Sequence, residues 1–202
     1  MSRDPLIAAT QFFGGRVCLD FANTMDWRTS DAPQELIPGY PALLTWCGNR
    51  RTLPAAAIGA LRARETEPEA TAALEQAHAL RHEIWNVVEA LLHGRPVPLA
   101  PLNRRLADVP AQPRLAEEGS AYLYDLPGAR LEETLWPVLW SLTALIASDD
   151  ARRLGSCQAD GCGWYFVDES PNRTRVWCSS EVCGNRERAR RAYAKRRARP
   201  VP

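Results

Sequence analysis

The chain has 202 residues, of which 46% are hydrophobic and 24% charged, so it is long enough to bury a core and has a globular composition. It lacks an apolar run of the roughly 18–20 residues that cross a membrane, and no apolar secretory segment follows Met1. We therefore expect a cytoplasmic protein with no membrane partner. The net charge of +1 is unevenly divided, because residues 1–150 carry −6 and residues 151–202 carry +7. This asymmetry predicts a globular part followed by a part that binds an anion.

The first hundred residues predict a mostly helical structure. A bent strand or hairpin is expected over 11–17, where Gly14-Gly15 interrupts the pattern, and a loop over 33–38. Apolar residues at helical spacing, with proline near the start of several segments, then predict helices. Their expected bounds are 41–50, 54–64, 68–93 and 99–106.

A hairpin and one more core helix are predicted before the charge pattern changes. Their expected bounds are 113–116 and 121–126 for the strands, 117–120 for the turn and 132–148 for the helix. A boundary near 148–150 then divides the chain into a helical domain over 1–150 and a small module over 151–202. The predicted fold class is mainly α with a small β-hairpin, that is, α+β.

Four cysteines near the end of the chain form two matched pairs. Four residues separate Cys157 from Cys162 and Cys178 from Cys183, and fifteen residues lie between the pairs. This spacing lets two tight turns bind one tetrahedral metal ion, and thiolates in the cytoplasm favour Zn²⁺ over disulfides. Four protein ligands make a closed structural site with no open position for a catalytic water. The alternative is a group of four buried free thiols.

A hairpin and a basic helix are expected around this metal site. The aromatic strand 164–167 is predicted to pair with 175–177 across the loop 168–173, and the helix to span 184–199. Ala189, Ala192 and Tyr193 share one side of that helix, which we expect to pack on the metal knuckle. The predicted nucleic-acid-binding residues are Arg173, Arg175, Arg186, Arg188, Arg190, Arg191, Lys195 and Arg197. The alternatives are a solvated tail or a helix docked on an acidic face of residues 1–150.

Polar residues inside an apolar N-terminal segment suggest a ligand pocket. Asp20, Asn23 and Thr24 would share a helical face, and buried polar groups must be hydrogen-bonded. With Trp27 and two arginines they predict a pocket for a carboxylate-bearing effector. The candidate pocket residues are Asp20, Asn23, Thr24, Arg28 and Arg81. The alternative is structural: Asp20 and Asn23 tether the local backbone, and Arg81 pairs with Asp20.

Two stretches resemble known families. Cys183-Gly184-Asn185-Arg186, with the aromatic stretch 163–166 and the arginines of 172–177, resembles the CGNR zinc finger. The stretch Leu19-Asp20-Phe21-Ala22-Asn23-Thr24 resembles the signature of the ABATE domain, which usually precedes that finger. The resemblance implies a zinc ion on the four cysteines and a role as a stress-induced transcription regulator.

Several functions remain open at this point. The first is a one-component regulator in which an N-terminal sensor controls a DNA-binding helix. The others are an RNA- or ribosome-associated module and a protein-interaction module that uses the basic helix. An enzyme is not expected, since the sequence shows no nucleophile–base pair, phosphate loop or catalytic metal motif. One short basic helix offers limited specificity, so a homodimer is a further expectation.

Overall fold

The computed structural model describes residues 11–110, 113–126, 128 and 130–197. Its longer helices follow the predicted pattern closely. The helices are α1 (Val17–Ala22), α2 (Tyr40–Arg50), α3 (Ala55–Arg62), α4 (Pro68–Leu92), α5 (Leu99–Leu106), α6 (Trp136–Ile146) and α7 (Asn185–Arg197). Among the described residues, no helix combines the length and the apolar character that crossing a membrane requires.

The long helix α4 is the axis of the N-terminal core. Ala77, Leu80, Ile84 and Val88 repeat at helical spacing and are completely buried. Pro68 lies in the first turn, where its missing N–H is no loss. The helix ends at Leu92, one residue before the predicted end, and Gly94 follows its cap residue His93. Helices α1, α2 and the 3₁₀ turn Leu131–Leu135 pack against it.

The strand or hairpin predicted over 11–17 is wrong. Residues 11–13 are irregular, the chain bends at Gly14 and Gly15, and α1 begins at Val17. The backbone N–H of Gly14 donates to Asp20 Oδ1 at 2.8 Å, which folds the segment back onto the helix. A Cβ at Gly14 would lie 2.7 Å from Leu19 Cβ, so this close approach needs glycine.

Three small antiparallel pairs accompany the helices. They are β1 (Met25–Asp26) with β2 (Gln34–Glu35), β3 (Leu115–Glu118) with β4 (Ala121–Tyr124), and β5 (Leu154–Ser156) with β6 (Tyr165–Val167). The predicted hairpin is confirmed, although its turn is shorter and Glu117 and Glu118 belong to β3. The predicted loop 33–38 contains β2. The last core helix begins as a 3₁₀ turn, and its α-helical part starts at Trp136 because Pro137 is tolerated only near a helix start.

The pairing predicted within the metal module is wrong. Strand β6 pairs with β5, upstream of the first cysteine, and not with 175–177. Gly155 makes this possible, since a Cβ there would lie 2.7 Å from the Phe166 ring. The Asp168 carboxylate accepts from the backbone N–H groups of Ser170 and Arg175, both at 2.9 Å. These bonds hold the following segment in a compact loop instead of a strand.

Strand β6 separates two apolar clusters. Tyr165 and Val167 join the large N-terminal core, whereas Phe166 points to the opposite side, as alternation along a strand requires. That side belongs to a smaller cluster built around the four cysteines. Its buried members are Leu36, Cys157, Ala159, Cys162, Trp164, Phe166, Cys178 and Cys183. The mainly helical α+β fold is therefore confirmed, and one strand of the metal module is part of the N-terminal core.

Candidate metal centre and nucleic-acid interface

The four predicted ligand cysteines meet at one point. All four are buried, and their Sγ atoms lie within 4.8 Å of one another. Three of the separations are 3.9 Å for Cys162–Cys178, 3.7 Å for Cys162–Cys183 and 3.4 Å for Cys178–Cys183. Four Zn–S bonds of about 2.3 Å hold their sulfur atoms about 3.8 Å apart. The site therefore fits a tetrahedral Zn²⁺, and the prediction of a zinc ion on these residues is confirmed.

Local hydrogen bonds shape the two turns that carry the ligands. In the first, Cys162 N donates to Ala159 O at 3.0 Å and Cys157 N to Trp164 O at 2.7 Å. In the second, Gly184 N donates to Ser179 O at 2.9 Å, within the π-helical turn Ser180–Gly184. The ligand positions thus follow from backbone turns, and α7 starts directly after the second one.

The thiols favour a cation electrostatically. Hydrogen bonds to the neighbouring Cys157, then to Cys162 and Cys183, together with burial, raise the pKa of Cys178. Four buried thiolates repel one another, so all of them lose their protons only when a metal ion supplies positive charge. Arg186 adds a nearby cation, since its Nη2 donates to Cys183 Sγ at 3.5 Å.

Arg175 lies inside the zinc module. Its guanidinium donates to the carbonyl oxygens of Trp177 at 3.0 Å, Val167 at 3.2 Å and Phe13 at 2.9 Å, and also to Cys178 O. It stacks on the Phe166 ring at 4.2 Å. A nucleic-acid contact by Arg175 would require several of these bonds to break. Arg173 differs, because it is exposed in a loop with a left-handed backbone, φ 50°.

The cations of α7 divide into an anchored start and an exposed end. Arg188 donates to Ser180 O at 3.0 Å, and Arg190 pairs with Glu187 and Asp160, each at 3.0 Å. The side chains of Arg188 and Arg190 are themselves exposed, as are the cationic side chains beyond them. Arg191 lies 5.9 Å from the Trp177 ring centre, and Arg197 lies 5.9 Å from that of Tyr193. The exposed residues at this end include Arg191, Lys195, Arg196 and Arg197.

The expected packing of the alanine–tyrosine side of α7 is wrong. Ala189 and Ala192 are exposed, and Tyr193 is 57% exposed. The helix is instead held at its first turn by Glu187, which is 3% exposed, and by Arg186. This turn packs because the zinc ligand Cys183 fixes the helix start. The predicted helix end at Arg199 lies outside the described residues.

The buried Asp20 carboxylate pairs with the half-buried Arg50. Asp20 accepts from Gly14 N and from Arg50 Nε at 2.7 Å. Burial, the largest influence, raises the pKa of Asp20, while Gly14 and Arg50 act in the opposite direction. The expectation that Asp20 pairs with Arg81 is wrong.

Arg81 and Thr24 form a second polar group, with Glu35 on β2. Arg81 is 1% exposed, and its Nη1 donates to Thr24 Oγ1 at 2.9 Å and to Glu35 Oε1 at 2.7 Å. Its Nη2 also pairs with Glu35. No sequence pattern marked Glu35, because the charge partner of a buried arginine depends on tertiary folding.

Asn23 and Arg28 connect the N-terminal domain to the zinc module. Asn23 Nδ2 donates to Tyr165 O at 2.9 Å, and Tyr165 N donates to Asn23 Oδ1 at 2.8 Å. Arg28 donates to Gly163 O through Nη2 at 2.6 Å and stacks on the Tyr165 ring at 4.4 Å. The five candidate pocket residues therefore serve three separate internal networks.

Comparison with known families finds two models that match consecutive parts of the chain. A family model named ABATE, described as "Putative stress-induced transcription regulator", matches residues 15–149. The chain belongs to the ABATE family. The CGNR zinc finger model matches residues 153–196, which include all four cysteines. A comparison with curated proteins gave no match.

The ABATE domain has a sizeable cavity, in a place that the sequence did not indicate. Its volume is about 560 Å³, and it lies between α4, α5 and the start of α6. Ala73, Leu135, Trp136 and Leu139 form its apolar floor. The charged residues around it are Glu69, Glu83, Arg104, Arg105, Asp108, Arg130 and Glu132. None of the five predicted pocket residues lines it.

Proposed function

We propose that this ABATE protein is a transcription regulator that contacts duplex DNA through α7. The observation that carries the proposal is the charge of this helix and the way its start is fixed. Helix α7 holds seven arginine or lysine residues and one acid, Glu187, which is buried and paired with Arg190. Its uncompensated cations extend from a turn that zinc holds in place. Such a row of exposed cations suits the closely spaced phosphates of nucleic acid.

The division within α7 supports different roles along the helix. Arg188 and Arg190 are hydrogen-bonded within the finger, so they position the helix as well as add charge. Arg191, Lys195 and Arg196 are exposed and suit phosphate contacts. Arg175 supports the finger from within, so we do not include it among the contact residues.

Binding of a fluorescent 30-bp duplex of mixed sequence, followed by anisotropy across a salt series, tests the proposal. If about six phosphates are contacted, log K falls against log salt with a slope of about −5. The triple variant Arg191→Gln, Lys195→Gln, Arg196→Gln reduces the slope by about 3. Arg114→Gln is the matched control, since Arg114 is 85% exposed in the N-terminal domain. Absence of binding at low salt, or equal slopes for both variants, contradicts the proposal. Tighter binding to RNA of the same length favours the RNA alternative.

We further propose that the ABATE domain receives its signal in the 560 Å³ cavity. Arg104 has no hydrogen-bond or ion-pair partner within the described part of the chain, and it adjoins an apolar floor. This combination suits a small aromatic carboxylate. Screening a panel of such acids by thermal unfolding tests this, with Ala72→Trp as the variant that places a large ring on the cavity lining. We expect stabilisation of the wild type and no response from the variant. Equal stabilisation of both proteins places the ligand elsewhere.

A further inference from the structure

The segment 24–30 of the ABATE domain forms one wall of the zinc finger. Arg28 N donates to Cys162 O and Thr29 N to Gly161 O, both at 3.2 Å. In the opposite direction, Trp164 Nε1 donates to Met25 O at 3.1 Å. The backbone of the first zinc-binding turn is therefore bonded directly to the N-terminal domain. This arrangement differs from a finger joined to its neighbour by a flexible linker.

Trp27 lies at the centre of this wall in an unusual backbone conformation. Its φ of 52° is left-handed, a region that bulky residues rarely occupy. Asp26 Oδ1 accepts from Trp27 N at 2.8 Å, and Ser30 N donates to Trp27 O at 2.9 Å. These bonds hold the strained turn. A Cβ at Gly161 would lie 3.1 Å from Trp27 Cε3, so the ring packs closely on the first zinc turn.

The other contact of Trp27 is with the basic helix. The Arg186 guanidinium carbon lies 4.2 Å from the centre of the Trp27 ring, and Arg186 Nη2 reaches Cys183 Sγ. Arg186 belongs to the first turn of α7 and is half-buried. The indole is therefore placed between the first zinc-binding turn and α7. A change in segment 24–30 would reach the basic helix through this stack.

We propose that Trp27 is a positioning residue: its ring, held by a strained turn of the ABATE domain, sets the orientation of α7 by stacking on Arg186. The consequence for DNA binding rests on the proposed function, whereas the positioning itself does not. Glu35, which bonds to the buried Arg81, belongs to β2 and pairs with Met25 of β1, and Thr24, the other partner of Arg81, directly precedes β1. The hydrogen bonds of Arg81 in the ABATE core thus extend to segment 24–30, which contacts α7.

Two substitutions separate the ring from the backbone. Trp27→Asn removes the ring but tolerates a left-handed backbone, and Trp27→Phe keeps an aromatic face for the guanidinium. Tyr122→Asn is the matched control, because Tyr122 is an aromatic residue, 71% exposed, on the separate β3–β4 pair. Each variant is made in the full chain, with and without Arg186→Ala, and its zinc content is measured first.

Amide hydrogen exchange over residues 185–191 is the first measurement. We expect Trp27→Asn to accelerate exchange there about fivefold with one zinc retained, and Trp27→Phe to stay near wild type. Arg186→Ala alone should have the same effect, and Trp27→Asn should add nothing to it. Tyr122→Asn should leave this segment unchanged. Unchanged exchange in Trp27→Asn, or an equal further increase in the Arg186→Ala background, overturns the proposal.

Affinity for the 30-bp duplex is the second measurement. If α7 loses its orientation, Trp27→Asn should bind the duplex about tenfold more weakly than the wild type, whereas Trp27→Phe should bind it with near wild-type affinity. If the wild type binds no duplex, the proposed function fails, while the exchange data still decide the positioning role. If Trp27→Asn loses zinc, the positioning role is tested by comparing zinc-loaded Arg186→Ala with the wild type. Unchanged exchange over residues 185–191 in Arg186→Ala then overturns the proposal.

Discussion

The two parts of this protein are held together by different means. The N-terminal core contains long runs of completely buried aliphatic and aromatic side chains, which stabilise it through burial of apolar surface. Among the described residues, the cluster around the cysteines has eight buried members, of which four are the zinc ligands and one, Leu36, belongs to the ABATE domain. So small a core supplies little burial energy, and metal binding takes its place. The finger therefore depends on two supports outside its own apolar cluster, the zinc ion and segment 24–30 of the ABATE domain.

Two arginines that bind protein groups, one in each part, also differ in how they are stabilised. Arg81 is enclosed in the N-terminal core and neutralised by the carboxylate of Glu35. Arg175 in the finger is half-buried and bonded to backbone carbonyl oxygens. In the N-terminal core the arginine is stabilised by a charge pair. In the finger, Arg175 instead stabilises irregular backbone by donating hydrogen bonds to carbonyl groups.

Loss of the metal should produce the largest difference between the parts. We expect Cys178→Ser to lose zinc and to unfold residues 157–162 and 168–197 while α4 and β6 remain protected, because metal-linked folding is worth on the order of 10 kcal/mol. Amide exchange with zinc analysis measures this. Cys47→Ala is the control, since Cys47 is buried in the N-terminal core and is not a ligand. Protection retained over 157–162 and 168–197 without zinc would show that the contacts with segment 24–30 are enough to hold the finger.

Breaking the buried ion pair should destabilise the N-terminal part. Arg81→Met leaves the Glu35 carboxylate without its principal partner, and we expect a loss of about 3 kcal/mol in the free energy of unfolding. Urea denaturation of the zinc-loaded protein measures it. Arg114→Gln, at an exposed site, should have no measurable effect. If Arg81→Met lost as little unfolding free energy as Arg114→Gln, water would be solvating the Glu35 carboxylate in place of Arg81.

A glycine at the junction tests how closely the two parts fit. A Cβ on Gly163 would lie 2.4 Å from Thr29 Cγ2, at a φ of +66°, so Gly163→Ala should cost about 2–3 kcal/mol. Gly119→Ala is a matched control, because its φ is +62° but no atom lies within 4 Å of the added Cβ. It should cost about 1 kcal/mol from backbone conformation alone. If urea denaturation gave the same loss of unfolding free energy for Gly163→Ala and Gly119→Ala, the contact between Gly163 and Thr29 would not restrict the residue at position 163.

The smallest expected effect is a pH dependence in α4. His82 is exposed, but partial desolvation, then the charges of Arg81 and His78, lowers its pKa below the ordinary value of 6.5. The unfolded chain therefore takes up the proton more readily, and stability falls as the pH drops through about 6.5. We expect His82→Gln to flatten the free energy of unfolding between pH 7 and 5. An unchanged slope would assign the dependence to other groups.

Local patterns predicted much of the fold and the whole metal site. The bounds of α5 and the core face of α4 follow from helical spacing, and the ligands follow from two identical cysteine spacings. The pairing of β6 was missed because strand partners depend on where Gly155 can approach Phe166. The bend at Gly14 was read as a strand because its partner, the Asp20 carboxylate, lies six residues away.

The amino-acid sequence is enough to predict the chemistry of the zinc site, the helical character of the N-terminal part and the basic charge of α7. These properties depend on residue type and short-range spacing, which physical rules relate directly to structure. Which arginines face solvent and which bind protein groups depends on tertiary packing, since Arg175, bonded to backbone carbonyls, and Arg191, exposed on α7, look alike in sequence. Tertiary packing alone placed Trp27 beside the helix, because that contact joins residues 159 positions apart.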